Sequence, residues 1–122
     1  MAAAAGGSVM VVEDDGDIRD VVGGLLDTEG FQVLSAKNGR EALERLERGD
    51  RPSVILLDLV MPEMNGWQFL EALRHRQEFE QIPVVVVTTY PSIVEGANAL
   101  LQKPFDFENL VATVTRFCRG LR

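Results

Sequence analysis

Five side chains able to act together on a phosphoryl group lie scattered along the chain: Glu13, Asp14, Asp58, Thr88 and Lys103. Asp58 ends the apolar run VILLD, where a charge costs free energy unless something compensates it. Carboxylates brought close together raise one another's pKa values, and a divalent cation relieves that conflict. Oxygen-only ligands favour a hard ion such as Mg²⁺, with water completing the shell. Mg²⁺ held by one or two carboxylates commonly serves a phosphate, and a lysine and a hydroxyl nearby would neutralise and position its oxygens. Asp58 then reads as a carboxylate nucleophile in phosphoryl transfer. Asp15 and Asp17 stand apart from this set, since either can cap the helix that follows.

The elements around these residues explain how they could meet. Four segments read as buried strands, 8–12, 31–36, 53–58 and 82–88, aliphatic and poor in charge as expected for parallel strands covered on both faces. A weaker fifth is ALLQ, 99–102. Helical patterns lie between them. Asp17 to Glu29 places Ile18, Val21, Val22, Leu25 and Leu26 on one stripe, and Gly30 supplies a stop. Further patterns run from Gly39 to Arg48, Trp67 to Arg76 and Phe107 to Arg119. Alternating β and α elements imply a parallel sheet with right-handed crossovers and helices on both faces. Ligands in such folds bind beyond the carboxyl ends of the strands. Those ends carry Glu13, Asp14, Asp58 and Thr88, and Lys103 follows the fifth strand. The pattern breaks at TTYPSIVEGAN, 88–98, where at most about two helical turns fit before Gly96.

Composition narrows the possibilities. A chain of 122 residues fits one domain with a core that needs no staples. A net charge of -7 argues against binding nucleic acid or an anionic membrane. The single cysteine, Cys118, cannot form an internal disulfide, and the single histidine, His75, lies in polar surroundings and reads as a surface residue. MAAAAGGS lacks the features of a signal peptide, and no run approaches a membrane span. The expectation is a reduced, cytoplasmic protein with a flexible tail over 1–7 and one domain over 8–122. Trp67 is expected near the loop after Asp58, or else in the core.

VVEDDGDIR, LLDLVMPEMNG, VVVVT and QKPF resemble, in order and spacing, the motifs of the response-regulator receiver domain of two-component signalling, in its chemotaxis type. The resemblance covers residues 8–119. It implies a flavodoxin-like, doubly wound five-stranded parallel sheet of order 2-1-3-4-5 with helices on both faces. Asp58 would be the phosphoacceptor, supplied by a sensor histidine kinase or a phosphotransfer protein. Asp14 would ligate Mg²⁺ directly and Glu13 mainly through water, joined by Asp58 and the backbone carbonyl of Val60. Thr88 and Lys103 would contact the phosphoryl group, and a cis Lys103–Pro104 bond would aim the lysine. Pro62, Asn65 and Gly66 would shape the loop after Asp58. No separate substrate would be turned over, so the domain would not be an enzyme. Output would pass to an unidentified protein partner.

Departures from the family touch output more than chemistry. Thr88 and Lys103 are 15 residues apart, about seven fewer than the resemblance implies, or roughly two helical turns. The helix between the fourth and fifth strands should therefore be truncated or missing. Leu100 stands where the family carries an aromatic switch residue, and Tyr90 is a weak substitute. Thr89 replaces a smaller residue and could crowd the phosphoryl pocket. Val60 is apolar and cannot orient an attacking water, which implies slow dephosphorylation. The altered face makes the ordinary symmetric dimer doubtful and favours a monomer that uses another face, such as the first helix. Two other readings are a pseudo-receiver scaffold that is never phosphorylated, and a Mg²⁺-dependent phosphohydrolase. The acid–lysine set argues against the first. The second lacks a cap insertion and an acid at position 60.

Overall fold

The computed structural model describes residues 7–89 and 94–119. Five strands alternate with helices: β1 (Ser8–Val12), α1 (Gly16–Thr28), β2 (Gln32–Ala36), α2 (Gly39–Glu47), β3 (Val54–Asp58), α3 (Gly66–Arg74), β4 (Val84–Thr88), β5 (Ala99–Gln102) and α4 (Phe107–Arg119). The strands form one parallel sheet of order β2-β1-β3-β4-β5. The flavodoxin-like arrangement that the resemblance implies is the one observed. Of the expected tail, only Gly7 is among the described residues, and its carbonyl accepts the Gln32 N–H at 2.9 Å.

Each sheet face has its own core. On one, Met10, Val12, Ile55, Leu57, Val84 and Val86 pack under α2 and α3. On the other, Val9, Val11, Leu56, Val85 and Val87 pack with Leu26 of α1 and Leu110 and Val114 of α4. β3 and β4 are buried at every position, as central parallel strands must be when both faces are covered. Among described residues, no helix is long and apolar enough to cross a membrane.

Helix ends follow local chemistry. Asp15 caps α1, accepting from the N–H groups of Asp17 and Ile18. Asn65 and Gln68 form a reciprocal capping box at the start of α3. Gly30 and Gly49 follow α1 and α2 with positive φ, as helix stops commonly require.

Two expectations need correction. The α1 stripe is wider than the buried face: Leu26 is buried, but Ile18, Val21 and Leu25 are exposed because the sheet covers only one edge of the helix. Trp67 is not in the core. It sits 52% exposed on the outer side of α3, facing residues 94–96. Leu100 is exposed too, since alternation along β5 turns Leu101 to the core. The expected shortening between the fourth and fifth strands is present. Only ten residues, 89–98, separate β4 from β5, and Thr89 and residues 94–98 are not helical. Tyr90 lies outside the described residues.

The loop after Asp58 is pinned at both sides by glycines. The Gly66 N–H donates to Leu59 O at 2.8 Å and the Gly39 N–H to Met64 O at 3.0 Å. A Cβ on Gly66 would stand 2.6 Å from Asp58 O and 2.7 Å from Leu59 Cα, both backbone atoms. Gly66→Ala should therefore lower stability by about 1–3 kcal/mol through overpacking. Gly24→Ala, in α1 with no atom within 4 Å of a new Cβ, should raise it by about 0.5–1 kcal/mol. Urea unfolding of the two variants beside wild type tests both signs.

Candidate functional site

β1 and β3 are neighbours, so Glu13, which follows β1, and Asp58, which ends β3, meet at the carboxyl edge of the sheet. Both are buried, at 6% and 9% exposure, while Asp14 is exposed. Carboxylate oxygens of Glu13, Asp14 and Asp58 all lie within 4.8 Å of one another. Lys103, which follows β5, brings its Nζ to 3.6 Å from Glu13 Oε1 and 3.7 Å from Asp58 Oδ1. The structure thus assembles four of the expected side chains.

Backbone contacts fix these groups. The Lys103 N–H donates to Thr88 O at 2.8 Å, and the Lys103–Pro104 peptide is cis, as expected. Thr88 ends β4 buried at the same edge. The Glu13 N–H donates to Ala36 O at 3.1 Å, and Glu13 Oε2 accepts from the Asp15 N–H at 3.2 Å. Val60 is 69% exposed in the loop after Asp58. Thr89 is also exposed, and with Glu13, Asp58 and Lys103 it lines a cavity of about 450 Å³. Val11, Ile18, Leu56 and Val87 are among its apolar lining.

The electrostatics are those of crowded acids. Burial, foremost, pushes the Glu13 carboxyl up to about 7. The Asp15 N–H works against this, the Asp58 charge adds to it, and Lys103 opposes it. A lysine shared between two buried acids leaves the set short of positive charge, and all the side-chain donors are oxygens. That donor set fits a hard divalent cation.

Residue pattern alone did not single out Arg19. One turn into α1, its Nη1 donates to Glu13 O at 2.7 Å and ties the helix to the acidic loop. Its spacing is that of an ordinary surface arginine on a helix, so only the folded geometry reveals the contact. The same holds for Arg74, whose guanidinium joins α3 to the connection before β5.

Comparison with known proteins places this geometry. A family profile described as the response regulator receiver domain matches residues 9–115. Protein PilH of Pseudomonas aeruginosa is 34% identical over 119 residues, covering 92% of this chain and 98% of that protein. Among solved structures, the chemotaxis response regulator CheY4 of Vibrio cholerae is 34% identical with a TM-score of 0.82, over 91% of this chain and 98% of that one. The signal receiver domain of a signal transduction histidine kinase from Syntrophus aciditrophicus is 28% identical with a TM-score of 0.87, over 95% and 92% of the two chains. The receiver domain of a sensor histidine kinase from Pseudomonas aeruginosa, 25% identical with a TM-score of 0.84 over 93% of this chain and 98% of that one, has a magnesium ion coordinated in its active-site cleft. With the profile spanning nearly the whole chain and the acid–lysine cluster at the expected edge of the sheet, the protein belongs to the response-regulator receiver domain family of two-component signalling.

Proposed function

We propose that this domain accepts a phosphoryl group on Asp58 from the phosphohistidine of a sensor histidine kinase or phosphotransfer protein, and that its phosphorylated form acts by binding another protein. The observation that carries this reading is the trio of carboxylates within 4.8 Å, with Lys103 against two of them. An unreactive scaffold would have no use for so costly an arrangement.

Glu13, Asp14, Asp58 and the Val60 carbonyl would hold Mg²⁺, whose charge offsets that of the incoming phosphoryl oxygens. Asp58 supplies the attacking oxygen. The P–N bond of the donor breaks as the P–O bond to Asp58 forms, and the departing imidazole takes up a proton. Lys103 exchanges its contact with the Asp58 carboxylate for one with a phosphoryl oxygen. The Thr88 hydroxyl donates to another. Ile18, Val21 and Leu25 are exposed along α1 and offer apolar surface to a protein partner. The reading is that of a monomeric, cytoplasmic signalling module with no nucleic-acid or membrane partner and no separate substrate to turn over.

Incubation with acetyl phosphate and Mg²⁺ should add one phosphoryl group by intact mass, and Asp58→Asn should take up none; an equal gain in that variant would move the acceptor elsewhere. With Val60 unable to hold an attacking water, the phosphorylated form should persist for minutes or longer, and Val60→Asn should shorten its life. Decay within seconds in the wild type would overturn the role given to Val60.

Glu13 also makes stability depend on pH when metal is absent. Its carboxyl titrates at about 7 in the fold against an ordinary value of 4.5. Between those values the folded state holds more protons than the unfolded chain, so this group's contribution to stability is lost as pH rises through the window. Glu13→Gln should flatten that loss and exceed wild type in stability above pH 7, read by urea midpoints at acid and alkaline pH in chelator. Added Mg²⁺ should stabilise wild type more than the variant.

A further inference from the structure

Parallel strands are normally joined by a crossover of a dozen or more residues that carries a helix. The ten-residue connection between β4 and β5 falls short of that, and Thr89 and residues 94–98 are not helical. Among the described residues, Trp67 on the facing flank of α3 is 52% exposed. Arg74 stitches the connection down: Nε donates to Gly96 O at 2.9 Å and Nη2 to Asn98 Oδ1 at 2.9 Å. Its Nη1 donates to the carbonyls of Glu80 and Ile82, both at 3.0 Å. Between α3 and residues 94–96 runs a groove of about 470 Å³.

The groove has an apolar floor of Trp67, Leu70 and Val94, and its rim carries the exposed carboxylates Glu71 and Glu95. Two basic residues also line it. Arg74 is committed to four oxygen acceptors of the chain itself. His75 has its Nδ1 against the Glu71 carbonyl at 2.8 Å. The groove therefore exposes a tryptophan and two acids, beside an Arg74 whose charge is not offset by its uncharged acceptors.

We propose that this groove docks a cationic amphipathic helix of a partner protein. An exposed tryptophan beside a leucine is the kind of anchor around which interfaces concentrate their energy. An apolar floor flanked by charge suits helix-in-groove recognition. Glu71 and Glu95 select Lys or Arg beside the apolar face, and the net charge of -7 steers such a partner in. The proposal goes beyond phosphoacceptor chemistry and does not depend on it.

Trp67 is the only tryptophan, so its emission reports on the groove without a label. The probes are a designed Leu/Lys amphipathic peptide of about 14 residues, long enough for helix to form on binding, and its Leu/Glu counterpart. The Leu/Lys peptide should shift Trp67 emission to the blue, and added salt should weaken its binding. The charge reversal E71K/E95K, checked for fold by circular dichroism, should weaken binding at least tenfold. D27K/E29K reverses two acids at the end of α1 on the opposite sheet face and should bind as wild type does, as should Asp58→Asn. The proposal fails if the Leu/Lys peptide leaves the emission unchanged, if the Leu/Glu peptide binds equally well, or if E71K/E95K binds like wild type. Loss of the response in D27K/E29K or Asp58→Asn would place the peptide elsewhere and overturn it. So would a blue shift with protein concentration alone, accompanied by a dimer mass, which would put a second copy in the groove.

Discussion

Glu13 and Asp58 lie buried against each other at the ends of adjacent strands, and their mutual repulsion is the constraint around which the molecule is arranged. Isolated, either charge would be intolerable at such depth. Lys103 stands against both carboxylates and the Asp15 N–H donates to Glu13, yet burial, with the Asp58 charge added, leaves the Glu13 pKa raised. The two acids and the lysine arrive on three different pieces of chain. The sheet order, the tight turn into α1 and the path of the chain after β5 are therefore all needed before the cluster can exist.

The rigidity of the loop after Asp58 belongs to the same problem. Gly66 and Gly39 let backbone approach backbone more closely than any side chain would allow, and the capping box at Asn65 starts α3 immediately afterwards. The Asp58 carboxylate thus stands between a strand buried at every position and a helix whose first turn is locked. Such placement on rigid elements would keep it within the small tolerances that the proposed transfer chemistry requires.

Much of this was legible in the residues. β1, β5 and α4 begin and end where the pattern placed them, and the remaining elements shifted by a residue or two, because apolar runs, glycine stops and caps act locally. The site was legible because it lies at strand ends, where register and topology leave little freedom. Outward-facing apolar residues were not. Ile18, Val21 and Leu25 have the same periodicity as core residues, and only the width of the sheet beneath α1 decides which are covered. Trp67 failed for a related reason: its spacing marks a helix, but its exposure depends on what packs against the outer side of α3. Arg19 and Arg74 act through carbonyls, which carry no residue-type signature.

Arg74 has one more consequence. A single side chain bridges the end of α3, the Glu80 and Ile82 carbonyls before β4, and the Gly96–Asn98 approach to β5, while Asn98 Oδ1 also accepts the Val84 N–H at 2.8 Å. These three stretches cannot loosen one at a time without stranding a guanidinium among unpaired carbonyls. They form one cooperative opening unit, whose amides exchange with solvent as a group. The Gly96–Asn98 stretch is thereby spared the independent fraying expected of an irregular segment at the edge of a sheet.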